Sequence, residues 1–263
     1  MVAQAATAAT LDRIREQGVI RIGYRADAKP YSYRNEKGQP AGYIVDLCLE
    51  VVAALGPNVR PGFVLVPSDQ RFESVANGRV DILCDPASVT VARREMVDFS
   101  LPIYLDGAGA LSRTSKPVQR FEDFQGKRVG VLGGTTTERT LREALSELNV
   151  QANIVTVNDH RAGIDMLSDD KIDAYFADRG IIAAMLYEGG RPGLDISKQY
   201  FSYETYALAL PRDDGAFRLL VDRTLARLYR TGKINAILEK TFGKAPLHDV
   251  LKAMIAINAL PER

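Results

Sequence analysis

The sequence predicts an α/β protein of two lobes, each an open sheet whose strands are separated by helices, with the chain crossing twice between them. Three observations carry this reading. Short β-branched runs alternate with helical stretches between residues 19 and 83. The same alternation begins again at residue 127. A last apolar strand, 206–210, then returns ahead of a long amphipathic helix. Strands separated by helices imply parallel βαβ units.

Taken in order, Val19-Ile20-Arg21-Ile22-Gly23 reads as the first strand, followed by a loop containing Pro30 and a turn at Asn35-Glu36-Lys37-Gly38. A helix over about 43–55 carries Ile44, Leu47, Val51 and Leu55 at helical spacing and stops before Gly56-Pro57. Residues 63–66 form a strand, 69–76 a short helix closed by Asn77-Gly78, and 80–83 a third strand. In the second series 127–132 is a strand and Gly133-Gly134 a tight turn. Thr135-Thr136-Thr137-Glu138 then has the form of a capping box, opening a helix with Leu141, Ala144, Leu145 and Leu148 on one face. A strand at 154–157, a helix at 161–167, a strand at 173–177, the strand 206–210 and a helix over 217–229 ended by Gly232 complete the pass. Crossings near 104–108 and 201–206 assign residues 1–104 and 206–263 to the first lobe and 105–205 to the second. Ligands of open α/β sheets bind beyond the carboxyl ends of the strands, so two facing lobes would make a central cleft.

Composition excludes several classes of function. With 46% hydrophobic and 25% charged residues, 21 Gly and 12 Pro, the chain is neither disordered, collagen-like nor a small disulfide scaffold. A formal charge of +1 leaves no basic surplus to hold nucleic acid. No uninterrupted apolar stretch reaches the ~18 residues a membrane helix needs. Two Cys and two His without CxxC or HxxxH spacing predict no metal site, and no cofactor motif is present. Cys48 is expected to pack as a small apolar residue of its helix, with a Cys48–Cys84 disulfide as the alternative. Ala3-Gln4-Ala5 has the small-x-small form that precedes a signal-peptidase cut, without an apolar region before it. A secreted chain already trimmed of its signal is the preferred reading, a frayed terminus the other.

The strand ends and following loops carry the candidate chemistry: Arg25 after the first strand, Ser68 and Arg71 after the second, Asp85 to Arg94 after the third, Thr135, Thr136 and Thr137 at a helix start, and Asp178 at a strand end. A helix N-terminus offers backbone N–H groups to an anion, and arginine fits a carboxylate bidentately. Each residue also has a plain structural reading. An arginine after a strand is usually solvated, the threonines cap a helix, Asp178 could cap the helix after it, and His160 in a polar loop is expected at the surface.

In conjunction, and in order, these residues resemble a family. Gly18-Val19-Ile20-Arg21-Ile22-Gly23-Tyr24, Pro30-Tyr31-Ser32-Tyr33 and Gly42-Tyr43-Ile44-Val45-Asp46-Leu47 resemble the opening of family 3 periplasmic solute-binding proteins. Ser88-Val89-Thr90-Val91-Ala92-Arg93 with Val97-Asp98-Phe99-Ser100-Leu101-Pro102 is similar to the family's Thr-x-Thr-x-x-Arg…Asp-Phe-Ser-x-Pro signature. Gly134-Thr135-Thr136, Asp173-Ala174-Tyr175-Phe176-Ala177-Asp178 and Tyr206-Ala207-Leu208-Ala209-Leu210 complete the resemblance, which runs from about Leu11 to Phe242. It implies the type II periplasmic binding protein fold, with two α/β lobes around a ligand cleft and two hinge crossings.

The resemblance further implies that Arg93 grips a ligand α-carboxylate, assisted by Ser88 and a threonine of the 135–137 turn, and that Asp178 receives the α-ammonium. Arg94 could be confused with Arg93, which the six-residue stretch 88–93 favours. Arg25, Ser68, Arg71 and His160 fall where the glutamate/aspartate-binding branch reads the ligand side chain. Three arginines against Asp178 leave a surplus of two positive charges, which suits a dicarboxylic amino acid. Cys84-Asp85-Pro86-Ala87 departs from the family's small, Gly-containing stretch, and Ser88 stands for threonine. Were Asp85 to face the site, the surplus would fall to one and a monocarboxylic amino acid or another small anion would enter consideration.

The implied function is an extracytoplasmic binding protein, not an enzyme, that works as a monomer, closes over glutamate or aspartate by a hinge motion and delivers it to an ABC permease. A prephenate or arogenate dehydratase on the same fold is the alternative, with Glu138 or Glu204 as the general acid it would need. A third reading is the sensing domain of a receptor.

Overall fold

The computed structural model describes residues 10–244 and 247–263, so Ala3-Gln4-Ala5 lies outside the described residues. In chain order the elements are α1 (Thr10–Gln17), β1 (Val19–Tyr24), β2 (Asp27–Ala28), β3 (Ser32–Arg34), β4 (Pro40–Ala41), α2 (Tyr43–Leu55), β5 (Arg60–Leu65), α3 (Arg71–Ala76), β6 (Ile82–Leu83), α4 (Val91–Arg94), β7 (Asp98–Asp106) and β8 (Ala108–Arg113). A 3₁₀ turn (Phe121–Phe124) precedes β9 (Arg128–Leu132), α5 (Thr136–Glu147), β10 (Asn153–Val157), α6 (His160–Ser168), β11 (Ala174–Asp178), α7 (Arg179–Gly189) and β12 (Leu194–Ile196). The chain ends through β13 (Glu204–Leu210), α8 (Gly215–Arg230), α9 (Lys233–Phe242) and α10 (Asp249–Asn258).

The chain divides into two compact units. Unit 1 takes the chain up to Ala26, Tyr31–Tyr104 and everything from Tyr206; unit 2 takes Asp27–Pro30 and Leu105–Thr205. The sequence reading leaves 27–30 in the first lobe. That short insertion makes the chain pass between units twice more than the two expected crossings.

In unit 1 the sheet order is β5-β1-β6-β13-β7, with β1 parallel to β5 and β6, and β13 antiparallel to β6. Ile20 and Ile22 of β1 are fully buried. A core of Val66, Val75, Val80, Leu83, Val97, Phe99, Ala207 and Ala209 forms around the strand ends. Ile44, Leu47 and Val51 are the buried stripe of α2, as their spacing predicts. Cys48, on that stripe, is bonded to Cys84 directly after β6, with Cα atoms 6.3 Å apart. This corrects the expectation of a plain packing cysteine. A 36-residue separation carries no geometry, and the pairing emerges only when α2 lies over the sheet. Beneath the last residues of β7, Tyr31, Tyr43, Tyr104, Tyr206 and Phe242 form an aromatic cluster with centroids 5.1–6.4 Å apart. Tyr43 Oη donates to the Ile103 carbonyl (2.8 Å) and Tyr229 Oη to that of Pro102 (2.7 Å). Burial pushes both phenols above their ordinary pKa.

In unit 2 the order is β10-β9-β11-β8-β12, parallel at β9–β10 and β9–β11 and antiparallel at β11–β8 and β8–β12. The sheet is covered on both faces. Ala174 and Phe176 pack with Leu141 and Leu145 of α5, whereas Tyr175 and Ala177 pack with Ile164 and Leu167 of α6 and Ile182 of α7. That alternation is the period of two expected of a strand. A Cβ at Gly163 would stand 2.6 Å from Cδ2 of Tyr175, so only glycine lets α6 lie this close to β11. Among the described residues no helix is long and apolar enough to cross a membrane, and no three His, Cys, Asp or Glu gather as a metal site.

Candidate functional site

Unit 1 brings five of the sequence-selected residues to the carboxyl ends of β1, β5 and β6. Arg25, directly after β1, is 5% exposed, and its N–H donates to Ser32 Oγ (3.1 Å). Arg71 opens α3, and its guanidinium donates through Nη1 to the Ser68 carbonyl. Ser88 is buried and bridges to Tyr206 of β13, while its carbonyl accepts from Arg93 Nη1 (2.7 Å). Arg93 lies in α4, whose cap is Thr90: Thr90 Oγ1 accepts from the Arg93 N–H at 3.1 Å. Both guanidinium groups rest on one ring, Arg71 at 4.9 Å and Arg93 at 4.4 Å from the centroid of Phe72. Arg94, by contrast, is exposed, 5.9 Å from the Phe99 ring.

Asp85 lies in this unit too. Its carboxylate is 1% exposed and lies 3.1 Å from Nε of Arg71, itself 4% exposed. The sequence flagged Asp85 only as a departure from a pattern, and no spacing rule ties a residue after β6 to the first residue of α3.

Unit 2 carries the rest. Thr135 caps α5, its Oγ1 accepting from the Glu138 N–H (3.1 Å). Glu138 completes the box one residue further back than usual, accepting from the Gly134 N–H (2.9 Å), where a positive φ of 73° suits glycine. Two of the three hydroxyls are linked to each other, and the third goes to Glu204. Thr135 Oγ1 donates to the Leu132 carbonyl (2.7 Å). With its single proton so used, it accepts from Thr137 Oγ1 (2.7 Å), and Thr136 Oγ1 donates to Glu204 Oε2 (2.7 Å). Each hydroxyl proton at this helix start is therefore committed within the unit.

His160 corrects its expected surface position. It is 4% exposed, opens α6, places Nδ1 2.9 Å from Tyr175 Oη, and donates its backbone N–H to Asp27 Oδ2 (3.3 Å). Asp178 occupies the N-cap position of α7 without capping it through its side chain. That task falls to Asp106, which accepts from the Gly180 N–H (3.1 Å). Sequence reasoning missed Asp27, Tyr175 and Asp106. The placement of Glu204 just before the returning strand was the one signal that could have tied it to the threonine turn.

Two surface hollows lie away from these residues. One of about 550 Å³ in unit 2 includes Arg113 and Arg191, paired with Asp170 and Asp165 at 2.6 Å each. The other, of about 410 Å³ in unit 1, lies between α1 and α8.

Residues 20–244 match the family described as bacterial extracellular solute-binding proteins, family 3. The L-glutamate/L-aspartate-binding protein of Pseudomonas aeruginosa is 31% identical over 94% of this chain and 87% of its own length. The cyclohexadienyl dehydratase of the same organism is also 31% identical, over 87% of this chain and 84% of its own. A solved solute receptor for L-cysteine from Neisseria gonorrhoeae superposes with a TM-score of 0.82 at 26% identity, covering 89% of this chain and 94% of that one.

Proposed function

Because the chain belongs to the family 3 bacterial extracellular solute-binding proteins and has the type II periplasmic binding protein fold, we propose that it captures an amino acid outside the cytoplasm, glutamate or aspartate above all, and hands it to an ABC permease. The observation that carries the reading is Arg93, fixed by the Ser88 carbonyl at 2.7 Å and by the Phe72 ring so that its cationic edge is preorganised for a carboxylate. Arg93 with Ser88 takes the α-carboxylate together with the start of α5, Asp178 takes the α-ammonium, and Arg25, Ser68, Arg71 and His160 read the side chain.

Arg25, Arg71 and Arg93 supply the positive charge that an acidic ligand would meet, part of which the Asp85 carboxylate beside Arg71 offsets. The P. aeruginosa relative named for glutamate and aspartate supports the same choice.

A dehydratase is disfavoured by the engagement of the two carboxyls nominated as its acid. Such an enzyme needs a protonated carboxyl aimed at the leaving hydroxyl. Glu138 is committed to the cap and to Arg142 (2.9 Å), and both oxygens of Glu204 accept from hydroxyls, those of Thr136 and Ser202. Calorimetric titration of unfolded and refolded, ligand-free protein with glutamate, aspartate, glutamine, histidine and prephenate separates the two. One-site binding of an acidic amino acid without turnover is expected. Silence toward every amino acid, or turnover of prephenate, would remove the reading.

A further inference from the structure

We infer that Asp85 is a specificity-determining residue of the amino-acid site: paired with Arg71 inside unit 1, it lowers the site's preference for an anionic ligand side chain, so that the neutral amide glutamine is accepted beside glutamate. The inference rests on the amino-acid reading above.

Burial and geometry fix the pair. Asp85 Oδ2 stands 3.1 Å from Arg71 Nε, with both side chains under 5% exposed. Such a pair is little screened by salt, and separating it would strand a charge, so Asp85 stays with Arg71 when ligand arrives. The backbone holds it there too. Cys84 is tied to α2 by the disulfide, Pro86 restricts its own φ, and the Ala87 N–H donates to the Asp85 carbonyl at 2.8 Å.

The charge that a ligand side chain meets follows directly. A side chain that met Arg71 alone would meet +1; with Asp85 beside it the pair sums to 1 − 1 = 0. A carboxylate approaching Arg71 is attracted by the guanidinium and repelled by Asp85, whereas an amide is repelled by neither. The other buried aspartate of unit 1 shows what a purely structural pair looks like here. Asp81 sits before β6, at the end of the strand away from the candidate residues, and is held by Arg13 and by Arg21 (2.6 Å) with its Oδ2 on the Arg21 N–H (2.8 Å). Asp85 instead follows the carboxyl end of the same strand, among Ser68, Arg71, Ser88 and Arg93.

The test is calorimetric titration at pH 7 of the refolded full chain, unvaried and as Asp85→Asn, with glutamate and with glutamine. The unvaried protein is expected to bind the two within about tenfold, and Asp85→Asn to shift the ratio toward glutamate by about tenfold or more, each tenfold being one decade in Kd. A shift below about threefold, or an unvaried protein that already prefers glutamate by about a hundredfold, overturns the inference. Asp85→Ala, which leaves Arg71 in place, keeps the question decidable if Asp85→Asn fails to fold. It should shift the ratio toward glutamate by about tenfold, and a shift below about threefold overturns the inference. Should the unvaried protein bind no amino acid, the functional reading falls and this inference with it. Should it bind while Asp85→Asn keeps the same ratio, only the role of Asp85 falls.

Discussion

Arg71 and Arg93 share the Phe72 ring but are held by different partners, Arg71 by a carboxylate and Arg93 by a backbone carbonyl. Arg93→Ala is expected to weaken amino-acid binding by at least a hundredfold, about 3 kcal/mol, and calorimetry showing near-native affinity would end its assignment. Another single-residue effect lies at the start of β9, away from the site. The side-chain hydrogen bond from Arg128 holds Asp173 at about 2, below the ordinary 3.8. A carboxyl lowered in the folded state adds stability that is full above about pH 4 and disappears as pH falls through 2. Unfolding curves of Asp173→Asn and the unvaried protein should thus differ at pH 7 and converge near pH 2; a constant gap would show that the effect is not electrostatic. The threonine triplet was legible in the sequence as a cap and as a candidate anion site. The direction of its hydroxyl protons was not, because that depends on Leu132 and Glu204, one of them 68 residues away.

Elements with a clean period were legible, and those without one were not. Helix α2 announces itself through Ile44, Leu47 and Val51, and α5 through its cap and its Leu141–Leu145 face. Strand β8 escaped notice because Ala108-Gly109-Ala110-Leu111-Ser112 is buried on both faces and has neither alternation nor bulk. The two-residue β2 and β4 are too short to carry any period, and α4 is a single turn fixed by the Thr90 cap. Two tests belong at this scale. Thr135→Ala removes the α5 cap and should cost about 1 kcal/mol, read as an earlier urea midpoint by circular dichroism. Double replacement of Cys48 and Cys84 by serine frees a 36-residue loop and should cost about 2–4 kcal/mol. An unchanged midpoint would mean that the reduced unfolded chain retains comparable order.

For the whole molecule, each unit encloses its own core, unit 1 around Val66, Leu83 and Phe99, and unit 2 on both faces of its sheet. Two calorimetric transitions are expected for the ligand-free protein. A ligand that draws on residues of both units should raise both transitions together, by about 2.7 kcal/mol at a hundredfold excess over Kd. If saturating glutamate moves only one, the ligand engages one unit alone. The family and the two α/β series were legible at this scale because strand-end motifs recur in order. The placement of 27–30 was not, since nothing local distinguishes a four-residue excursion from an ordinary loop.

That excursion sets a rule for anyone grafting unit 2 onto a relative. Asp27 supports the first turn of α6 through the His160 N–H at 3.3 Å, and Lys29 forms an ion pair with Glu188 of α7. A chimera that exchanges 105–205 alone would cut one domain at a hidden seam, leaving its histidine helix beside a foreign tetrapeptide. The transplantable module is discontinuous, and its smaller fragment is only four codons long.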